Sequence, residues 1–397
     1  MITVDFEHCT GCGACVQVCP KKCIQNKENN EGFVYPVINV NDCINCNLCE
    51  KVCPINKSQE LVNPKAYAAV NRNTDSLMKA SSGGVFDSIA RYALKYNGIV
   101  YGCAFSDDLK AKHIRIDCTN NLHMLYGSKY VQSDIANTYS EAKKDLDAGY
   151  FVVFSGTPCQ VAGLKSFLNK QYENLVTVDI ICHGVPSQAY FDKYIGMLRK
   201  RHQGNIVDFN FRSKDNHGWS LAGDFACVKH NEKKKHSLFY FDNYYYHYFL
   251  ESSIYRRSCY TCKYANLNRE GDFSLGDLWG AERFNFDFDT SRGCSLLLVN
   301  TNKGSKILKY LHIDISEIDI ETAVQFNAQL SHPSVKPACW EKRIDDFKNK
   351  SPEEIQSEYM KEYKAKRIIG RLKYLVPSKI VKVLNIIRYK FSVLARD

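Results

Sequence analysis

Short apolar runs alternate with amphipathic stretches through most of the chain. AYAAV (66–70), GIVYGCAF (98–105), GYFVVFSG (149–156), NLVTVDII (174–181) and GCSLLLVNTNKG (293–304) read as strands, the last buried and ending in a turn. After the first run, Val85, Phe86, Ile89, Tyr92 and Ala93 fall on one helical face, and Gly98 closes that helix. VAGLKSFLNK (161–170) and QAYFDKYIGMLRKR (188–201) read as further helices, the second with Tyr190, Phe191, Tyr194, Ile195 and Leu198 on its apolar stripe. Two successive strands are each followed by a loop and a helix, the loops being TPCQ and CHGVPS. Such units predict parallel neighbours in an α/β sheet, with both strands ending on the edge where open sheets place ligands. The predicted class is α/β, or α+β over the whole chain.

The first 57 residues follow another rhythm. CTGCGACVQVCP (9–20) and CINCNLCEKVCP (43–54) both read C-x2-C-x2-C-x3-C-P, and each cysteine recurs 34 positions later. This is the bacterial two-cluster ferredoxin pattern, in which the fourth cysteine of each run serves the other cluster. It assigns one 4Fe-4S cluster to Cys9, Cys12, Cys15 and Cys53, and a second to Cys19, Cys43, Cys46 and Cys49. Zinc is disfavoured, because zinc sites pair cysteines rather than repeat quartets. Cys23 falls outside the pattern and reads as a spare thiol. Between the quartets FVYPVINV reads as a short strand, with Pro36 suggesting an edge. NKSQELVNPK (56–65) is a polar linker. The predicted units are 1–57, 64–148, 149–345 and a tail, 346–397.

Composition narrows the class further. Of 397 residues, 45% are apolar and 24% charged, as in ordinary globular proteins, but 18 are cysteine. The first residues lack the basic start and apolar core of a signal peptide, and no apolar run reaches the roughly 18 residues of a membrane span. A cytoplasmic location is expected, where many cysteines read as metal ligands rather than disulfides. From Lys361 to Asp397, eleven Lys and Arg face two acids, so this tail holds +9 of the chain's +10. The near-neutral remainder argues against nucleic acid as a partner. IIGRLKYLVPSKIVKVLNIIRYKFSVL mixes cations with apolar residues, and Pro377 divides it. It reads as a basic amphipathic surface for an anionic membrane face, or as helices packed on protein.

The remaining chemistry clusters at predicted loops. Cys159 and Cys182 follow the two consecutive strands, so their thiols are expected to converge. Cys259 and Cys262, in RRSCYTCKYAN, form a C-x2-C pair flanked by Arg256, Arg257 and Lys263. Together these four cysteines suit a third 4Fe-4S cluster; a four-cysteine zinc site or unconnected buried thiols fit the same spacing. Cys103, Cys118, Cys227, Cys294 and Cys339 read as packing residues. SSGG (81–84) before a helix offers a seat for phosphate, or plain capping by Ser81 or Ser82. LYGSKYVQSDI (125–135) gathers Ser128, Lys129, Tyr130, Gln132 and Ser133, a polar set suited to a ring system or to solvent. His183 is a candidate proton relay, with a structural hydrogen bond as the alternative. GDFSLGDLWGAE (271–282) reads as a turn with Trp279 either stacked on a planar ligand or in the core.

KASSGG, GSKYVQS, GTPCQVAGL, DIICHGVPS, CYTCKYAN and GDLWG, behind the double quartet, together resemble the coenzyme F-420 hydrogenase/dehydrogenase beta-subunit family over residues 1 to 345. The resemblance implies a core that binds FAD and one 4Fe-4S cluster, the cluster on Cys159, Cys182, Cys259 and Cys262. It implies flavin contacts at Ser81, Ser82, Gly83, Gly84, Ser128, Lys129 and Gln132. FMN is the alternative flavin, since no G-x-G-x-x-G fingerprint is present. The implied function is an iron–sulfur flavoprotein oxidoreductase exchanging electrons with deazaflavin, nicotinamide, ferredoxin or a partner protein. Two alternatives are a non-catalytic electron-transfer subunit, linked to surface polysaccharide synthesis, and a redox sensor with structural clusters.

Overall fold

The computed structural model describes residues 4–375. Near the N-terminus β1 (Ile24–Glu28) and β2 (Val34–Ile38) form an antiparallel hairpin between the two cysteine quartets. Pro36 opposes Asn26 in this two-stranded ribbon, where either strand is an edge.

The centre is an eight-stranded mixed sheet. It is built from β3 (Lys65–Asn71), β4 (Ile99–Phe105), β5 (Ala111–Ile116), β6 (Val152–Gly156), β7 (Leu175–Ile180), β11 (Phe273–Asp277), β12 (Ser295–Val299) and β13 (Ile313–Ile318). The order is β13-β3-β12-β11-β7-β6-β4-β5. β4, β6, β7 and β11 run parallel, and antiparallel pairs flank them on both sides. The parallel strands are buried on both faces: Val152, Val153, Phe154, Val176 and Val178 are fully enclosed. On one face the helix Val85–Lys95 inserts Val85, Ile89, Ala90 and Ala93. On the other, Tyr139, Ala142 and Leu164 meet Tyr101 and Phe154.

A separate antiparallel sheet, β8 (Asn205–Asn210), β9 (Ala222–Lys229) and β10 (Glu232–Phe239), covers an aromatic core with the helices Gln188–His202 and Tyr244–Leu250. Tyr244, Tyr245, Tyr246 and Tyr248 are all buried there. Ile355 and Tyr359, from the helix Pro352–Glu362, complete that core, so this part of the expected tail is built into the body. The next helix, Lys364–Leu375, leaves Ile368, Ile369 and Leu372 exposed. Pro377 and the sequence after it lie outside the described residues.

The structure corrects two sequence expectations. TPCQ is not a loop, because the helix runs Pro158–Leu168 and Cys159 sits in its first turn. Thr157 caps it in a capping box with Gln160, and Pro158 occupies the first helical position, which needs no amide. GDFSLGDLWG contains β11 rather than a turn alone. β3 itself pairs antiparallel with β12 and β13.

Candidate functional site

The tips of β6, β7 and β11 open into one cleft of about 520 Å³. Parallel pairing aligns Gly156 with Asp179 and Leu275 with Ile180, so the loops that follow leave the sheet on the same edge. Cys159 and Cys182 therefore meet at this edge, as the strand order predicts. Cys259 and Cys262 border the same cleft.

The C-x2-C segment is held there by buried bonds. Arg269 donates to Asp179 at 2.6 Å, both side chains being fully enclosed. It also donates to the Ile180 and Tyr264 carbonyls, and the Glu270 and Gly271 amides complete the Asp179 carboxylate. This pair pins the chain after Cys262 to the tip of β7, next to Cys182. On the other side of the pair, the Arg256 amide donates to the Val185 carbonyl at 2.9 Å, tying the Cys259 turn to the Cys182 loop.

Burial pushes the Cys159 thiol up to about 11 and the Cys259 thiol up to about 12, and Cys262 adds to both. Burial also raises Cys182, reinforced by Cys259, Cys159 and Cys262. Burial alone among the raising effects lifts Cys262. Such thiols are unreactive as they stand and must release protons to bind a metal. Four half-buried cysteines with no carboxylate among them form a soft donor set. Among the described residues no three His, Cys, Asp or Glu side chains close around a single ion. In a cubane each cysteine takes a different iron, so its sulfurs stand wider apart than the ligands of one tetrahedral zinc.

The N-terminal quartets separate into two places. Cys19, Cys43, Cys46 and Cys49 border one small hollow, with Cys46 exposed. Cys23 borders it too, its sulfur 3.4 Å from that of Cys19. Cys9, Cys15 and Cys53 face each other: burial lifts Cys15 to about 12, with Cys9 and Cys53 adding to it. Cys12 is buried with this group and stands against the helix that carries Cys159. A methyl group on Gly163 would lie 3.1 Å from the Cys12 sulfur and 2.8 Å from the Tyr139 hydroxyl, so this close approach requires glycine. The Cys9–Cys12 loop thus forms part of the cleft wall through Thr10.

The expected flavin contacts divide. Ser81, Ser82, Gly84, Ser128, Lys129 and Gln132 line the cleft; Gly83 does not. The Gly83 amide donates to the Ser295 hydroxyl, so it is not a free phosphate donor. Neither serine caps the helix Val85–Lys95, whose N-cap is Gly84. The Ser81 hydroxyl accepts from the Ser128 amide, and the Ser82 hydroxyl donates to the Cys294 carbonyl. Lys129 donates to the Tyr126 carbonyl at 2.6 Å, and burial pulls its pKa down to about 8. Gln132 is spent on the joint between the modules: it donates to the Thr10 carbonyl and accepts from Arg256.

His183 borders the cleft and is exposed. Partial desolvation of its ring lowers its pKa, opposed by Asp277. Trp279 lines the cleft and stacks in parallel on Trp219 at 5.0 Å. Arg212, buried, pairs with Asp277 at 3.0 Å beside it. His113 had no sequence signal, standing alone in an unread strand. Its Nε2 donates to the Ser155 carbonyl at 2.9 Å, so its Nδ1 accepts from the Ser133 hydroxyl at 3.0 Å.

Residues 151–323 match the family model for the C-terminal part of the coenzyme F420 hydrogenase/dehydrogenase beta subunit. Residues 8–57 match the 4Fe-4S dicluster domain. No curated protein matches the chain. Among solved structures, a chain of the F420-reducing nickel–iron hydrogenase complex from Methanosarcina barkeri is similar at 15% identity and a TM-score of 0.43. The likeness covers 76% of this chain and 92% of that one. Over residues 151–323 the chain is thus similar to the C terminus of the coenzyme F420 hydrogenase/dehydrogenase beta subunit, and this stretch follows one that matches a 4Fe-4S dicluster domain.

Proposed function

We propose that this chain is an iron–sulfur flavoprotein oxidoreductase that passes electrons between a two-electron carrier and its 4Fe-4S clusters. The observation that carries this is the convergence of Cys159, Cys182, Cys259 and Cys262 in a cleft whose wall includes the Cys9–Cys12 loop. In this reading the four cysteines hold a third 4Fe-4S cluster. Cys9, Cys12, Cys15 and Cys53 hold the inner cluster of the N-terminal domain, and Cys19, Cys43, Cys46 and Cys49 the outer one. The cleft takes FAD or FMN, with Ser81, Ser128 and Lys129 as polar contacts and Ile180 and Leu275 as apolar wall. A bound flavin would supply the exchange between hydride and single electrons, which clusters alone cannot perform. Deazaflavin of the coenzyme F420 type is the first carrier to test; nicotinamide and ferredoxin are the others.

The roles of the protein's own groups follow from their surroundings. Arg269 and Asp179 fix the C-x2-C segment against β7. His183, at the cleft, is the candidate to exchange a proton there. The stacked Trp279 and Trp219 close one side.

Anaerobic purification with iron, sulfide, zinc and flavin quantified tests the reading. About twelve irons and one flavin per chain are expected, four irons for each cluster. About eight irons with zinc would replace the third cluster by a zinc site, and absence of flavin after reconstitution would remove the carrier exchange.

A further inference from the structure

Four arginines are buried among the described residues, and three of them meet carboxylates. Arg212 pairs with Asp277, Arg269 with Asp179, and Arg343 with Glu362 and Asp346. Arg256, fully buried, has no carboxylate within ion-pairing distance among the described residues. Its guanidinium bonds only neutral acceptors: the Cys9 carbonyl at 2.7 Å, the Val34 carbonyl at 3.0 Å and Gln132 Oε1 at 3.1 Å. It also stacks over the Tyr35 ring at 3.9 Å.

A permanent charge buried without an anion is unfavourable, so the missing anion is to be sought among its neighbours. Those neighbours are thiols of two different sets. Arg256 Nη2 stands 4.0 Å from the Cys9 sulfur. Its carbonyl accepts from the Cys259 amide at 2.9 Å, and its charge draws down the thiols of both Cys159 and Cys259. When iron binds, these thiols become thiolates and the cation acquires its counter-charge from both sides. The next residue shows the contrast: Arg257 is matched by Glu31 and Glu7.

We infer that Arg256 is the shared counter-cation of the inner N-terminal cluster and the core cluster, setting both potentials and clasping the two modules together. This rests on the three-cluster reading above. A fixed positive charge favours the more negative, reduced form of each cluster, so it raises both potentials. Arg256 acts through the clusters and is a positioning residue, not a catalytic one.

The test is an EPR-monitored redox titration of the purified holoprotein, with iron counted in the same samples. In Arg256→Met both the inner and the core cluster move to more negative potential, while the outer cluster stays. Arg256→Lys, which keeps the charge, restores most of both shifts. Arg257→Gln moves neither. Twelve irons with unchanged potentials in Arg256→Met, or a shift in one cluster alone, overturns the inference and leaves the three-cluster reading standing. Eight irons in the wild type would instead overturn that reading itself. If Arg256→Met loses iron, Arg256→Lys decides: retention of twelve irons at near wild-type potentials supports the charge, and equal loss shows that packing alone is needed.

Discussion

A single side chain can be tied to a single measurement at several points in the cleft. Cys262→Ser removes one of four proposed ligands to the core cluster while leaving the N-terminal quartets intact. Iron is expected to fall from about twelve to about eight per chain, with the dicluster signal retained. His113 gives a pH signature. Burial, opposed by its bond to Ser155, pulls its pKa down from 6.5 to about 4. The folded state thus excludes a proton that the unfolded chain takes up. Its stabilising contribution is present above pH 6.5 and is lost as pH falls towards 4, on the order of 3 kcal/mol in all. His113→Gln should flatten the fall in urea-unfolding stability between those pH values; an unchanged slope would assign the acid sensitivity to other groups.

At the scale of elements, the helix cap explains how Cys159 is aimed. Thr157 and Gln160 close a capping box around the residue pair Pro158–Cys159, and the Thr157 hydroxyl lies 3.1 Å from the Cys159 sulfur. Thr157→Ala should lower unfolding stability by about 1 kcal/mol, measured by urea titration, and should weaken retention of the third set of irons against a chelator. The cap was legible in the letters T-P-C-Q, a threonine followed three residues later by glutamine with proline between, although the segment reads first as a loop. Apolar runs gave away β3, β4, β6, β7 and β12, since strands buried on both faces need no polar alternation. β11 stayed hidden because Gly276 and Asp277 interrupt its short apolar pattern. β10 stayed hidden because EKKKHSLF is charged along most of its length, as befits an exposed edge. The convergence of Cys159 and Cys182 could be reasoned from two successive strand–loop–helix units. The arrival of Cys259 and Cys262 depends on Arg269 finding Asp179, ninety residues away in sequence, and no local pattern announces that.

Over the whole molecule, the N-terminal module is not a tethered bead. Ala14, Cys15, Ile24 and Val52 share a buried cluster with Tyr139, Phe154 and Leu164 of the α/β body. The linker composition between the modules gives no hint of this. The other end of the chain presents a different surface. No helix among the described residues is long and apolar enough to cross a membrane. The helix Lys364–Leu375 is held to the body by Arg367 and Arg371 on Asp242 and by Lys366 on Glu251, with Ile368, Ile369 and Leu372 left outward. Peripheral binding to an anionic bilayer is the proposal for this face. The intact protein should co-sediment with anionic vesicles at low salt and less at high salt; an Ile368→Asp, Leu372→Asp variant should stay in solution. Equal recovery of both would reject it.

The contact at Gly163 restricts how such a protein can change over generations. A helix whose first turn carries Cys159 leaves, one turn later, a vacancy shaped for Cys12. Any bulkier residue at 163 must be answered by a rearranged loop at Cys12, and neither half can be exchanged for a stranger's without spoiling the fit. A change on one side of this seam therefore calls for a matching change on the other.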